Sequence, residues 1–154
     1  MATTDKTGLK AEMPGMAAAM MGPGPAGPAP ERMREAIRKY AEYQGAGDVA
    51  GILTLFTPDA FIRDPANGPE HRGHAALAEY YRAGHEVSGG MIEMILENEI
   101  RIAGNQAAAN FIVRTPRSKP VIRMASTDVM TFDEEGLITS MIAYWGPENF
   151  QQEG

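Results

Sequence analysis

Cysteine is absent from this chain. That excludes disulfides, thiol nucleophiles and cysteine-ligated metals, and it fits a reducing compartment such as the cytoplasm. Long apolar runs are absent as well: no stretch approaches the roughly 20 residues that a membrane-spanning helix needs. The segment closest to a leader, MAAAMM over Met16–Met21, is short, rich in alanine and bounded by Gly and Pro, so no secretory signal is expected. Blocks of like charge are also missing. The formal net charge is −6 with both signs interspersed, which leaves no electrostatic footprint for nucleic acid or an anionic membrane surface.

What is present suits one globular domain: 154 residues, 44% hydrophobic and 22% charged. The first part of the chain does not look foldable. From Met13 to Pro30 it reads MPGMAAAMMGPGPAGPAP, without an aromatic residue or a β-branched run. Such a segment buries too little apolar surface to offset its ordering entropy. Residues 1–30 are therefore expected to form a flexible tail, and 31–150 a single domain.

Within that domain, Met33, Ile37, Tyr40, Ala41 and Gln44 recur at the spacing of one helix face, ending at Gly45 and Gly47. Asp48 is placed to cap a short second helix carrying Val49, Ile52, Leu53 and Phe56. Ala60 to Asp64 reads as a short strand stopped by Pro65, and helix returns from about His74 to Arg82. The second half is strand after strand. Ile92, Met94, Leu96, Ile100 and Ile102 alternate with charged residues, and three further strands fall at about 106–114, 121–132 and 137–145. Helices first and mainly antiparallel strands afterwards predict an α+β domain, one curved sheet packed on a helical layer.

Three polar residues stand out on faces that should be buried. Along 121–132 the even positions Met124, Ser126, Asp128, Met130 and Phe132 share one face, so Asp128 sits among methionines and a phenylalanine. A carboxylate there either bonds a buried group or a partner such as Arg123, or stays protonated as a hydrogen-bond donor. Asp64 projects from a strand end, where carboxylates also serve as turn residues, and Tyr40 lies on the apolar face of the first helix. Histidine offers less: His71, His74 and His85 are loosely spaced, carry no ligand motif and are expected at the surface.

Taken together these residues carry a resemblance. Tyr40 to Asp48 (YAEYQGAGD), Leu55 to Ala60 (LFTPDA), Asp64-Pro65, and Thr127 to Gly146 (TDVMTFDEEGLITSMIAYWG) look like the bacterial ketosteroid isomerases, over about Met33 to Asn149. The resemblance implies a nuclear-transport-factor-2-like fold, a cone of curved mixed or antiparallel sheet against three helices. It implies that Asp64 is the general base and that Tyr40 and a protonated Asp128 hydrogen-bond the enolate oxygen. Tyr81 would support Tyr40 from behind, and Trp145 would line the pocket. The expected pocket also includes Phe56, Met130 and Met124, of which the methionines suit a flat hydrophobic ligand. Some family members carry a tyrosine where this chain has Phe56. No metal or other cofactor is required, the substrate would be a small hydrophobic ketone or steroid, and a homodimer is implied. Other enzymes of the same fold, polyketide-cyclase-like or dehydratase-like, and a non-catalytic binding domain are the competing readings. An epoxide hydrolase of this fold would need an Asp–Arg–Asp relay.

Overall fold

A computed structural model describes residues 14–21 and 26–153. The expected tail therefore lies largely outside the described residues. Within it, Pro14–Met21 forms helix α1. Gly27 packs against the Gly104–Asn105 turn, where a side chain would collide with the Gly104 carbonyl.

Helix α2 spans Pro30–Ala46, with proline in the first turn, where its missing N–H costs nothing, and Glu31 beside it. Met33, Ile37, Tyr40 and Gln44 form its buried face. Gly47 closes it in the left-handed region (φ 66°), and a Cβ there would lie 2.5 Å from the Gly90 carbonyl oxygen, so two constraints require glycine. Asp48 then caps α3 (Val49–Leu53) by accepting from Gly51 N–H at 2.8 Å.

The chain departs from its expected course at Phe56, which opens strand β1 (Phe56–Arg63) instead of ending a helix. The cause is tertiary: Ile138 N–H donates to Leu55 O at 2.8 Å, drawing the chain into a ladder before another helical turn can form. Pro58 falls inside the register shift between Phe56 and Phe61, where no ladder donor is demanded of it. After β2 (His71–Arg72), helix α4 runs His74–Val87, well past the expected end near Arg82. It passes through Gly84, although glycine in a helix interior is about 1 kcal/mol less favourable than alanine.

The alternating stretch that begins at Ile92 forms two strands, β3 (Glu93–Leu96) and β4 (Arg101–Ala103), both paired with β5 (Gln106–Thr115). Strands β6 (Val121–Phe132) and β7 (Ile138–Tyr144) follow close to expectation. An unanticipated β8 (Phe150–Glu153) pairs with β6 at Val121–Met124, carrying ordered structure past residue 150. Arg114 holds it down, donating to both carboxylate oxygens of Glu153, the shortest contact 2.6 Å.

The sheet runs β2-β1-β7-β6-β5-β3, with β4 also on β5 and β8 on β6. Strand β1 is parallel to β7 and the other pairs are antiparallel, so the sheet is mixed. Helices α2, α3 and α4 pack on one face, and the core lies between: Ile37 and Tyr40 from α2, Leu77 and Tyr81 from α4, Phe111 and Met130 from the sheet. This is the expected α+β architecture. Among the described residues no helix is long and apolar enough to cross a membrane.

Candidate active site

A cavity of about 580 Å³ opens between the sheet and helices α2 and α4. Its floor is β6, whose residues Ile122, Met124, Ser126 and Asp128 all line it. The six residue-to-residue steps from Ile122 to Asp128, at about 3.3 Å each, make the floor roughly 20 Å long. Ile92, Met94 and Val113 add apolar wall, and Asp64, Tyr40 and Tyr81 join Asp128 around it. The alternation that predicted one face for β6 thus placed Asp128 correctly, and folding brings Asp64 and Tyr40 to the same cavity from distant segments.

Asp128 is 3% exposed, and among the described residues its single side-chain partner is the Ser126 hydroxyl, which donates to Oδ1 at 2.7 Å. Arg123, the partner weighed from sequence, lies elsewhere: it pairs with Gln151 across β6–β8, and its charge acts on Glu153. Burial pushes the Asp128 carboxyl up to about 7; the Asp64 charge adds to the rise and the Ser126 hydrogen bond opposes it. An acid in that position holds a proton near neutral pH and can donate it as a hydrogen bond.

Tyr40 is 1% exposed, and its hydroxyl meets Tyr81 Oη at 3.1 Å and accepts from Gln44 Nε2 at 3.1 Å. Burial raises both tyrosines well above the usual phenol range, and the Asp128 and Asp64 charges reinforce this. Both phenols therefore stay protonated, and each keeps a proton that it can donate. Phe56 presents its ring edge-on to Tyr40, centroids 6.4 Å apart, and has no hydroxyl to extend the chain of hydrogen bonds.

Asp64 follows β1 at the cavity wall, beyond the last β1–β7 pair, Arg63 with Ile142. Trp145 Nε1 donates to Asp64 Oδ1 at 2.5 Å, and Tyr80 Oη donates to the Asp64 backbone carbonyl at 3.3 Å. The carboxylate thus has a held oxygen, Oδ1. The Trp145 ring packs edge-on against Phe150 from β8, centroids 5.3 Å apart.

Two expected lining residues are misplaced. Phe56 and Met130 are 2% and 0% exposed and belong to the core, away from the cavity. Met130 shares the face of Asp128 but lies one pleat further under the helices, where packing closes over it. Met124 and Trp145 do line the cavity. His85 is also corrected: it lies within α4, 6% exposed, and burial lowers its pKa. His74 is half-buried and bonds the Phe56 carbonyl at 3.0 Å. Gln44, Ser126, Tyr80 and Phe150 were missed as site residues. The first two sat on identified faces, i+4 from Tyr40 and two before Asp128. Nothing local marked the last two.

Asp64, Tyr40 and Asp128 around an apolar cavity are the arrangement implied by the resemblance. The SnoaL-like domain family matches residues 37–141. A steroid delta-isomerase from Nocardioides simplex is 35% identical over 117 residues, 75% of this chain and 90% of that one. The solved structure of SalBIII, described as an epoxide hydrolase/cyclase-like enzyme with a role in pyran ring formation in the polyether salinomycin, matches with a TM-score of 0.72. That match covers 81% of this chain and 98% of SalBIII at 22% identity, which speaks to the fold alone. The chain belongs to the SnoaL-like, ketosteroid-isomerase-like family of the nuclear-transport-factor-2-like fold.

Proposed function

We propose that the protein is a steroid delta-isomerase-like enzyme that moves the double bond of a β,γ-unsaturated (Δ5) 3-ketosteroid into conjugation (Δ4). The observation that carries this is Asp128, a carboxyl buried in an apolar cavity with its pKa raised to about 7, lining the same cavity as Tyr40 and Asp64. The cavity supports an elongated apolar ligand, because four alternate residues of β6 line it end to end.

In this mechanism Asp64 takes the α-proton and becomes neutral, and the electron pair moves to the ketone oxygen as a dienolate. Tyr40 and protonated Asp128 donate hydrogen bonds to that oxygen. They stabilise charge that exists only near the transition state, which lowers the barrier selectively. Asp64 then returns the same proton two carbons further along, so no proton is gained or lost. Before the transfer the Asp64 charge helps keep Asp128 protonated; after it, the charge sits on the ligand oxygen that Asp128 faces.

An Asp–Arg–Asp relay for epoxide opening finds no support in the cavity, since no arginine is among the described residues that line it. The family resemblance alone supports a homodimer, and the absence of cysteine is what fits a cytoplasmic location. The deciding experiment follows conjugated-enone absorbance on adding a β,γ-unsaturated 3-ketosteroid. Turnover in wild type, reduced about 10²-fold or more in Asp64→Asn and Asp128→Leu, is the expected result. A wild-type protein that neither turns over nor binds the steroid would remove the proposal.

A further inference from the structure

Two side chains of the protein converge on the Tyr40 hydroxyl. Tyr81 Oη lies 3.1 Å away, and Gln44 Nε2 donates at 3.1 Å. A phenol oxygen has one proton and two acceptor sites. Gln44 fills one of those sites. When the Tyr40 proton turns to a ligand oxygen, the Tyr81 proton can fill the other.

Gln44 is an unusual residue for its position. It lies one helical turn after Tyr40 on the buried face of α2, is 5% exposed and borders the cavity. Its carboxamide oxygen has no hydrogen-bond partner among the described residues. A buried amide left half-satisfied costs free energy that a leucine or methionine would avoid. Phe56, on the neighbouring strand, approaches Tyr40 only with its ring. Among the described residues, the one hydrogen bond its side chain makes is the N–H given to Tyr40.

We propose that Gln44 is a positioning residue for Tyr40: its amide N–H occupies an acceptor site on the phenol oxygen, leaves the phenol proton for the ligand, and steadies the charge that oxygen takes on as the proton is shared. This rests on Tyr40 being a donor to the enolate oxygen. Burial makes Tyr40 a reluctant acid, and two donors on its oxygen offset that reluctance at the moment the proton moves toward the ligand. Gln44 on α2 and Tyr81 on α4 thus act on the same atom from two helices.

The experiment has two arms, run on Gln44→Leu and Gln44→Met, both of similar volume and each checked by thermal melting. The first measures turnover of the β,γ-unsaturated 3-ketosteroid in the wild-type and Tyr40→Phe backgrounds. A neutral hydrogen bond of about 0.5–1.5 kcal/mol predicts a kcat lower by up to about tenfold with KM little changed. In the Tyr40→Phe background the same substitutions should cost less than about twofold, because the atom they act through is gone. The second arm needs no turnover: 4-nitrophenol is bound and its ionised fraction read from the anion's absorbance. That fraction should fall in both Gln44 variants. Equal losses in both backgrounds, or an unchanged ionised fraction, would reduce Gln44 to a packing residue. Failure of wild type to isomerise, with the ionised fraction still falling, would overturn the isomerase assignment and leave the Gln44–Tyr40 coupling standing.

Discussion

Trp145 gives its indole N–H to the carboxylate of Asp64, at 2.5 Å and across 81 residues of sequence. The contact ties the residue after β7 to the residue after β1, the parallel pair of the sheet. It fixes which Asp64 oxygen is held and leaves the other without that donor. Trp145→Phe keeps an aromatic ring against Phe150 and removes only the donor. A hydrogen bond to a charged group contributes about 1.5–3 kcal/mol, so urea titration should show a loss of that order. Turnover should fall as well, because the base is no longer held in one orientation.

The raised pKa of Asp128 makes stability depend on pH. Its folded value is about 7 against 3.8 for the free side chain, so between those values the folded state holds a proton that the unfolded chain has lost. Stability then falls as pH rises through that window, by up to about 4 kcal/mol at about 1.36 kcal/mol per unit. Denaturant midpoints across pH 4 to about 8 check this, and Asp128→Asn should flatten the slope. Above pH 7, Asp128→Asn should be more stable than wild type. In the isomerase assay, wild-type kcat/KM should carry a descending limb near 7 as the donor proton is lost, and that limb should be missing from the asparagine variant.

Ser126 is the group that opposes this rise. Its hydroxyl donates to Asp128 Oδ1, which favours the ionised form and leaves Oδ2 to carry the proton. Ser126→Ala should move the descending limb of kcat/KM toward higher pH. At pH 6, where both proteins hold the proton, its kcat should be lower, because an unassisted carboxylic acid is a weaker donor. A pH profile unchanged from wild type would contradict this role.

His85 is a different case: among the described residues neither ring nitrogen has a hydrogen-bond partner of good geometry, and burial depresses its pKa against the opposing effect of the Gln44 backbone. The unfolded chain takes up a proton below about 6.5 that the folded protein resists. Stability therefore drops as pH falls through that value. His85→Leu should raise the melting temperature at pH 7 and raise it further at pH 5.5. A variant that melts lower than wild type at both pH values would show that the imidazole has a partner.

Much of the site could be read from particular residues. Period-two alternation put Asp128 on a face of methionines, and helical spacing put Tyr40 and Gln44 on one stripe; both placements depend only on local geometry. The resemblance joined Asp64 to them. Errors arose where long-range contacts override local preference. Phe56 looked helical until the β7 ladder captured it, and His85 looked like a residue past a helix end because Gly84 is a poor helix former. Met130 lies deeper than its face suggested.

By itself, the sequence determined the absence of thiol chemistry, the α+β order of elements, and which face of each element carries apolar side chains, since these follow from composition and from periods of 3.6 and 2. Tertiary structure alone decided where the cavity ends. It set Phe56 and Met130 in the core, brought Trp145 onto Asp64 and Gln44 and Tyr81 onto Tyr40, and folded β8 back so that Phe150 meets Trp145. A periodic pattern states which way a side chain points from its own backbone. What it meets there depends on how the sheet curves against helices from remote parts of the chain.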